Sequence, residues 1–383
     1  MEDLKRTRAS SGRARRRVAL AFATLLLIMA LAVALAVVRD RGSGAKAAKA
    51  ATTAPAGPPV RAWSSVVMDR STGYVLYKKA PDRHLLPASC TKIMTAMLVL
   101  EHLENLDEYV TVPREAMHVH GALLGLHAGD RITVRSLLLG LMVKSATDCA
   151  VTLATRVSGD ESKFAVLMNA RASQLGLANT HYVNSSGQVT PGHYTSARDL
   201  AELGRVAMRN ARFRDLARRV YATVKWPPDH IARLHSHNIF NETFDWVNGI
   251  KTGATVGAGC VLVASGTYHN RSLIVVTMHE PTRTQEFKDA LKLYKWADAL
   301  FGKRAIVKAG AVLAQIPIDT GGQVDAVAAS GLSAMCRRAA DVSVVLEAVP
   351  QSLAGQPAQG TSLGTAVYYA DGGRLGAVPL VAP

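Results

Sequence analysis

Residues 87–96 have the sequence PASCTKIMTA, and the apolar run that they begin continues to Leu100. A helix without a polar face belongs inside a domain. The stretch therefore predicts a buried helix with Ser89 at its N-terminus and an extended Ala88 before it. Ser89 and Lys92 stand three residues apart, on one face of such a helix. Taken alone, this short and common spacing favours a capping serine beside a lysine whose amine reaches out to solvent.

The first 60 residues are predicted to anchor the chain. Residues 1–17 are polar and basic, and residues 18–38 (VALAFATLLLIMALAVALAVV) carry no charge. A helix of that length crosses a hydrocarbon core of about 30 Å, and the basic flank favours a cytoplasmic N-terminus. We expect a single-pass signal anchor, a flexible linker over residues 39–60 and an extracytoplasmic remainder. Cleavage of a long signal peptide, which would make the protein secreted, stays an alternative.

The distribution of charge argues against a nucleic-acid partner. Residues 1–49 hold eleven Lys and Arg against three Asp and Glu, which is half of the formal charge of +16. Basic and aromatic residues are little interleaved, so no nucleic-acid surface is predicted. The four cysteines lack Cys-x-x-Cys spacing, and we expect them to pack as small apolar residues. His235 and His237 would share one face of a strand without an evident third ligand, so neither a metal nor a cofactor is expected.

Helical and strand patterns are mixed over residues 61–303. The predicted strands cover residues 65–69, 74–77, 259–264 and 273–278, and the predicted helices cover residues 89–100, 134–143, 161–175, 196–210 and 287–301. The first two strands flank a turn at residues 70–73 and predict a hairpin. The pattern predicts an α+β domain in which helices flank a largely antiparallel sheet. Residues 304–383 have short β-branched runs and a turn at Asp371–Gly373, which predicts a small all-β domain.

Three short motifs follow one another along the chain: Ser89-x-x-Lys92, Ser145-Ala146-Thr147 and Lys251-Thr252-Gly253. This order is typical of serine enzymes that transfer acyl groups. A serine hydroxyl is a weak nucleophile until a base takes its proton. Burial of Lys92, with a second cation nearby, would lower its pKa and make it such a base. Ser145 could then pass the proton to the leaving amine.

The third motif suits the recognition of an anionic substrate. Lys251 and Thr252 can bind a carboxylate. Gly253 lets the strand approach a ligand closely. The backbone N–H groups of Ser89 and Ala254 could then form an oxyanion hole.

With these motifs in place, the chain resembles the low-molecular-mass penicillin-binding proteins that act as D-alanyl-D-alanine carboxypeptidases. The resemblance covers most of residues 61–383, including the hairpin at residues 68–77 and the loop at residues 184–196. It implies a β-lactamase-like sheet flanked by helices, and removal of the terminal D-Ala from peptidoglycan stem peptides through a serine acyl-enzyme. β-Lactams would act as covalent inhibitors. The residues it implicates are Ser89, Lys92 and Ser145 in catalysis, and Thr147, Lys251, Thr252, Gly253 and Ala254 in substrate binding.

Two departures from the family pattern concern the pocket. Relatives usually have Ser-x-Asn as the second motif, and Thr147 offers fewer hydrogen bonds than an asparagine amide. Relatives also usually carry, just before Phe287, an arginine that binds the terminal carboxylate of the substrate. Here Glu286 occupies that position and is expected to repel the carboxylate, with Arg283 as a possible substitute. Together the departures predict altered activity.

Two other functions stay open. A β-lactamase could share the fold, but the Glu-x-x-Leu-Asn pentapeptide of class A enzymes does not occur between Thr147 and Lys251. A weak or inactive homologue that only binds the cell wall would make Thr147 and Glu286 signs of decay. The intact nucleophile and base favour the carboxypeptidase.

Overall fold

The structure, a computed structural model, describes residues 57–383. Within this range the strands are β1 (Ser64–Asp69), β2 (Val75–Lys79), β3 (Tyr109–Thr111), β4 (Arg131–Thr133), β5 (Tyr221–Trp226), β6 (His230–His235), β7 (Val247–Thr255), β8 (Gly259–Tyr268), β9 (Arg271–Glu280), β10 (Phe301–Val307), β11 (Val312–Pro317), β12 (Gln323–Ala328), β13 (Leu332–Arg337), β14 (Val342–Glu347), β15 (Ser362–Ala370) and β16 (Gly373–Val381). The α-helices are α1 (Lys92–His102), α2 (Val134–Leu139), α3 (Thr147–Ser158), α4 (Glu161–Gln174), α5 (Ala197–Ala207), α6 (Ala211–Ala217), α7 (Ile239–Thr243) and α8 (Arg283–Leu300). Shorter helical segments are the 3-10 turns Ala88–Thr91 and Arg114–Met117 and the π-helix Gly140–Lys144.

Five strands form an antiparallel sheet in the order β2-β1-β9-β8-β7. The pairing of β1 with β2 confirms the predicted hairpin. The pairing of β8 with β9 confirms that these two strands are neighbours. β7 carries the third motif and lies at one edge of the sheet, so its outer side is open to a ligand.

Both faces of this sheet are covered. Successive side chains of a strand point to opposite faces, and on β1 Val66 packs in the core around α1 whereas Val67 packs in the core around α8. All six residues of β1 are buried, and its middle residues Val66, Val67 and Met68 are apolar, as expected of a strand that is covered on both faces. Ile93 and Met94 of α1 are fully buried, which confirms the predicted buried helix.

A second five-stranded antiparallel sheet follows, in the order β11-β12-β16-β15-β14. β15 and β16 pair around Asp371 and confirm the predicted hairpin. The apolar side chains of this sheet join the core around α8, and the Tyr74 hydroxyl donates to the Ala370 carbonyl oxygen at 3.2 Å. The α+β class with a separate all-β region is therefore confirmed. The predicted boundary after residue 303 falls inside β10 and stays a prediction.

Two segments differ from what the sequence indicates. The apolar run at residues 134–143 is not one α-helix, because α2 ends at Leu139 and a π-helix follows. The hairpin of β5 and β6 was not predicted. Most of its side chains are exposed, so its sequence lacks an apolar pattern, and it is held through Val224 and Leu234, which pack on Val143 of the π-helix.

The predicted basic tail, membrane anchor and most of the linker lie outside the described residues. Within residues 57–383, no helix combines the length and the apolar character needed to cross a membrane. The predicted anchor stays a prediction.

Candidate active site

The nucleophile motif lies on a tight turn. Residues Ala88–Thr91 form one 3-10 turn, and α1 begins at Lys92. The prediction of an extended Ala88 is wrong: its φ is +46°, because a proline restricts the residue before it and not the one after. The prediction of a capping Ser89 is also wrong, because Thr91 holds the N-cap position. The Ser89 hydroxyl instead accepts a hydrogen bond from Lys92 Nζ at 3.2 Å.

Lys92 is held inside the protein rather than reaching solvent. Its side chain is 1% exposed. Burial, with a further contribution from the charge of Lys251, lowers the pKa of Lys92 to about 7. A lysine near neutrality can be present as the free amine, which is the form that accepts a proton. The geometry at residues 89–92 therefore pairs a hydroxyl with a base that can take its proton.

The loop at residues 184–193 lies against this turn. Lys92 Nζ donates to the Ser186 carbonyl oxygen at 2.8 Å. Asn184 Oδ1 accepts the Gly187 N–H at 2.7 Å and shapes the loop internally. His193 joins the loop to the turn through a 2.9 Å hydrogen bond between its Nε2 and Thr91 Oγ1, and burial lowers the pKa of His193 to about 4. The ring is therefore neutral at pH 7 and works as a fixed hydrogen-bonding link.

Gly187 allows this close contact. Its φ is +87°, and a Cβ there would lie 1.8 Å from the Ala88 carbonyl oxygen. A side chain at this position would push the loop away from the nucleophile turn, because both the backbone conformation and the space exclude it.

The second motif occupies the junction between the π-helix and α3. Ser145 has a φ of +65° and turns the chain, so that Thr147 begins α3. Gly140 lies against Cys149 of α3, and a Cβ there would come within 2.6 Å of the Cys149 Sγ. The small residue thus lets the two helical segments meet closely and holds Ser145 and Thr147 at the pocket.

Asp148 fixes the segment of chain beside the second motif. Its buried carboxylate accepts the backbone N–H groups of residues 124–126 at 2.9 to 3.2 Å. The Thr147 N–H donates to the Ala122 carbonyl oxygen at 2.8 Å. No pattern in the sequence indicates this role, because the partners are backbone groups more than twenty residues away.

The third motif packs directly on the nucleophile turn. A Cβ on Gly253 would lie 2.8 Å from the Ser89 nitrogen and 3.1 Å from the Pro87 carbonyl oxygen. Gly253 was expected to admit a ligand, and the structure shows that it first admits the turn itself. Lys251 is 3% exposed, and its Nζ donates to the Thr252 carbonyl oxygen at 3.0 Å. Burial lowers the pKa of Lys251 to about 8.

Arg283, not Glu286, faces the pocket. Glu286 is fully buried, and its Oε1 accepts a 3.0 Å hydrogen bond from Arg283 Nη1. Both residues lie in the first turn of α8, and of the two only Arg283 lines the pocket. Burial raises the pKa of Glu286 to about 7, and the charge of Arg283 partly opposes this rise. The expectation that Glu286 repels a substrate carboxylate is therefore wrong.

These elements enclose a pocket of about 220 Å³. Of the residues predicted from the sequence, it is lined by Ser89, Lys92, Ser145, Thr147, Thr252, Gly253 and Ala254. Lys251 is buried behind the wall that Thr252 forms. The structure adds lining residues that sequence reasoning missed: His120, Gly121, Ala122, Ser186, Gly187, Gln188, His237 and Thr255. All except Thr255, the last residue of β7, come from loops, where no periodic pattern marks them.

The two histidines of the His-x-His pattern diverge. β6 ends at His235, so the prediction of two rings on one strand face is wrong. The His235 ring stacks on Tyr221 and bonds to Glu242, whereas His237 lines the pocket. Burial, followed by the charge of Lys251, lowers the pKa of His237.

The two cysteines beside the motifs are core residues. Cys90 and Cys149 are fully buried. Burial raises the pKa of each thiol. A thiol with a raised pKa forms little thiolate and is unreactive, in keeping with the predicted packing role.

Comparisons with known proteins give one result. Residues 49–282 match the peptidase S11 family, described as D-alanyl-D-alanine carboxypeptidase. D-alanyl-D-alanine carboxypeptidase DacF of Bacillus subtilis (strain 168) is 28% identical over 327 residues, which are 83% of this chain and 84% of the relative. D-alanyl-D-alanine carboxypeptidase DacD of Salmonella typhimurium is 33% identical over 278 residues, 70% of each chain.

A solved structure agrees with these relatives. Penicillin binding protein 5 from Haemophilus influenzae superposes with a TM-score of 0.72 at 27% identity, covering 85% of this chain and 98% of that one. The similarity extends through both sheets, since it spans most of each chain.

Proposed function

The chain belongs to the D-alanyl-D-alanine carboxypeptidase family of serine peptidases, and from this premise we propose how its pocket removes the terminal D-Ala of peptidoglycan stem peptides. The observation that carries the proposal is the 3.2 Å contact between the Ser89 hydroxyl and the buried Lys92 amine. Ser89 attacks the carbonyl carbon of the last peptide bond and forms an acyl-enzyme. Water then releases the shortened peptide.

The proton follows a short path. The neutral Lys92 amine takes the proton of Ser89 as the oxygen attacks. Ser145, which lines the same pocket, passes a proton to the nitrogen of the departing D-Ala. The backbone N–H groups of Ser89 and Ala254 stabilise the oxyanion, a role supported by the contact of Gly253 with the Ser89 nitrogen.

The terminal carboxylate of the substrate is bound on the opposite side of the pocket. Thr252 and Arg283 line it, and Lys251 adds positive charge from behind. A guanidinium and a hydroxyl together match the two oxygens of a carboxylate. The ring-opened adduct of a β-lactam would occupy the same site as the acyl-enzyme, so penicillin should label Ser89.

The direct test measures D-Ala release from diacetyl-Lys-D-Ala-D-Ala by the full-length chain, with nitrocefin hydrolysis measured in parallel. We expect D-Ala release with slow nitrocefin turnover. Fast nitrocefin turnover without D-Ala release would identify a β-lactamase. Binding to peptidoglycan without D-Ala release at high enzyme concentration would identify a wall-binding module and contradict the proposal.

Replacing Arg283 by alanine should weaken substrate binding. A hydrogen bond to a charged group contributes about 1.5–3 kcal/mol, so we expect kcat/KM for D-Ala release to fall about tenfold or more, mainly through KM. Lys288→Ala is the matched control, because it removes a charge from an exposed position of α8 outside the pocket. Equal activity of the two variants would show that Arg283 does not bind the substrate.

Replacing Thr147 by asparagine should raise activity. The amide adds a donor and an acceptor to the pocket, and one added hydrogen bond of about 1 kcal/mol predicts a several-fold higher kcat/KM. Thr147→Val, which keeps the shape and removes the hydroxyl, should lower it. If neither variant changes D-Ala release, Thr147 does not touch the substrate.

The localisation follows from the sequence of residues 18–38. Its length and lack of charge support a single-pass anchor, with the catalytic region outside the cytoplasm. Fractionation of cells that express the full chain should find it in the membrane. A chain that begins after residue 38 and is found only in the medium would instead support cleavage and secretion.

A further inference from the structure

The Lys92 amine has two neighbours that define its orientation. Its Nζ lies 3.2 Å from Ser89 Oγ and 2.8 Å from the Ser186 carbonyl oxygen. A neutral amine has two N–H bonds and one lone pair. When one N–H bond points at the Ser186 oxygen, the lone pair can point at the Ser89 hydroxyl. The position of the Ser186 carbonyl oxygen therefore controls how well the Lys92 amine accepts the proton of the Ser89 hydroxyl.

Ser185, the residue before Ser186, attaches the loop at residues 184–193 to the rest of the protein. The Ser185 carbonyl oxygen accepts a 2.6 Å hydrogen bond from Thr95 Oγ1 of α1. The N–H and Oγ of Ser185 both donate to one oxygen of Glu161, at 2.9 Å and 2.5 Å. The contacts of Asn184, by contrast, are internal to the loop and its neighbours. Thr95 thus holds the peptide plane between Ser185 and Ser186, and Glu161 holds the preceding peptide plane together with the Ser185 side chain.

We propose that Glu161 is a positioning residue for acylation, and that its carboxylate holds Ser185 so that the Ser186 carbonyl orients the Lys92 amine toward Ser89. The inference rests on the proposed role of Lys92 as the base. Two donors converge on one carboxylate oxygen, and hydrogen bonds to a charged acceptor are about twice as strong as neutral ones. Glu161 is the first residue of α4, so its backbone is held by the helix while its side chain reaches the loop.

Glu161→Gln tests the carboxylate, because glutamine has the same length but a neutral amide. The readout is the rate of labelling by fluorescent penicillin, measured as a function of concentration and pH with the full chain. We expect the rate at saturation to fall about three- to tenfold, because a neutral amide oxygen replaces the charged acceptor of the bonds from Ser185. The concentration for half-maximal rate should not change.

The pH profile separates positioning from folding. The Ser186 carbonyl accepts from the charged form of Lys92 and so favours that form. If the carbonyl moves away, the pKa of Lys92 falls, and the midpoint of the labelling profile should move to lower pH. Ser185→Ala removes one of the two bonds to Glu161 and should shift the midpoint in the same direction by less.

Asp160→Ala is the matched structural control. Asp160 caps the same helix through a 2.7 Å bond from the Lys163 N–H and does not touch Ser185. It should lower the temperature of unfolding without moving the midpoint of the profile. A Glu161→Gln variant that labels at the wild-type rate with an unmoved midpoint would overturn the proposal, whatever its stability.

Failure of the base itself is distinguishable. If the labelling rate of the wild type does not rise with pH, or if Lys92→Arg labels normally, Lys92 is not the base. The inference about Glu161 is then refuted as well. If Lys92 behaves as a base and only the Glu161 and Ser185 variants remain normal, the positioning role alone is refuted.

Discussion

Replacing Ser89 by alanine should abolish labelling by fluorescent penicillin and reduce D-Ala release by about 10⁴-fold or more, as for other serine enzymes that lose their nucleophile. The reason is chemical, because alanine has no atom that can form the acyl bond. The folded structure should persist, since the Ser89 hydroxyl makes its one described hydrogen bond to Lys92. Unfolding temperature and labelling, measured on the same preparation, check both parts.

Ser173→Ala is a suitable control for this experiment. Ser173 is an exposed serine of α4, away from the pocket, and its loss should leave labelling unchanged. Labelling that survives in Ser89→Ala would point to another nucleophile, and peptide mapping of the labelled chain would show whether it is Ser145.

Replacing Lys92 by arginine should slow acylation by about 10²- to 10⁴-fold, the usual contribution of a general base. A guanidinium stays protonated at all accessible pH values, so it cannot take the proton of Ser89. In the wild type, the pKa of Lys92 is about 7. Because the neutral amine is the active form, the rate should rise as pH increases through about 7 and then level off. In Lys92→Arg the rate should be low and should lack this rise.

Two neighbouring groups could produce a similar profile and need their own control. The pKa of Glu286 is also about 7, and that of Lys251 is about 8. Glu286→Gln removes one of these groups and should leave the midpoint near pH 7. A midpoint that disappears in Glu286→Gln, or that persists in Lys92→Arg, would assign the titration to a residue other than Lys92.

Local patterns were enough to predict the elements of the central sheet and the buried helix. The centres of β1, β8 and β9 are apolar, and α1 is apolar almost all round from Ile93 to Leu100, so the local sequence marks these elements as buried. The hairpin of β5 and β6 carries no such pattern. It is held because Val224 and Leu234 pack against Val143, a residue about eighty positions earlier. No local pattern in the sequence predicts that contact.

In the pocket, too, some residues are predicted by local spacing and others are placed only by packing. The spacing of Ser89 and Lys92 is local, and a single 3-10 turn brings them together wherever that turn forms. The sequence predicted Glu286 at the pocket, with Arg283 as a possible substitute, and both lie within one turn of α8. Packing decides between them, because Glu286 enters the core and Arg283 remains at the pocket.

By itself, the sequence determined the family and the order of the three motifs, and it predicted the nucleophile with its base, because each depends on residue type and short spacing. The tertiary structure alone decided the partners of those residues. Ser186 accepts from Lys92 across 94 positions, and Glu161 holds Ser185 across 24. Such contacts form where a loop packs between helices, and in both of them a backbone group of the loop is one of the partners. Because every residue carries these backbone groups, no residue type in the sequence marks the contact.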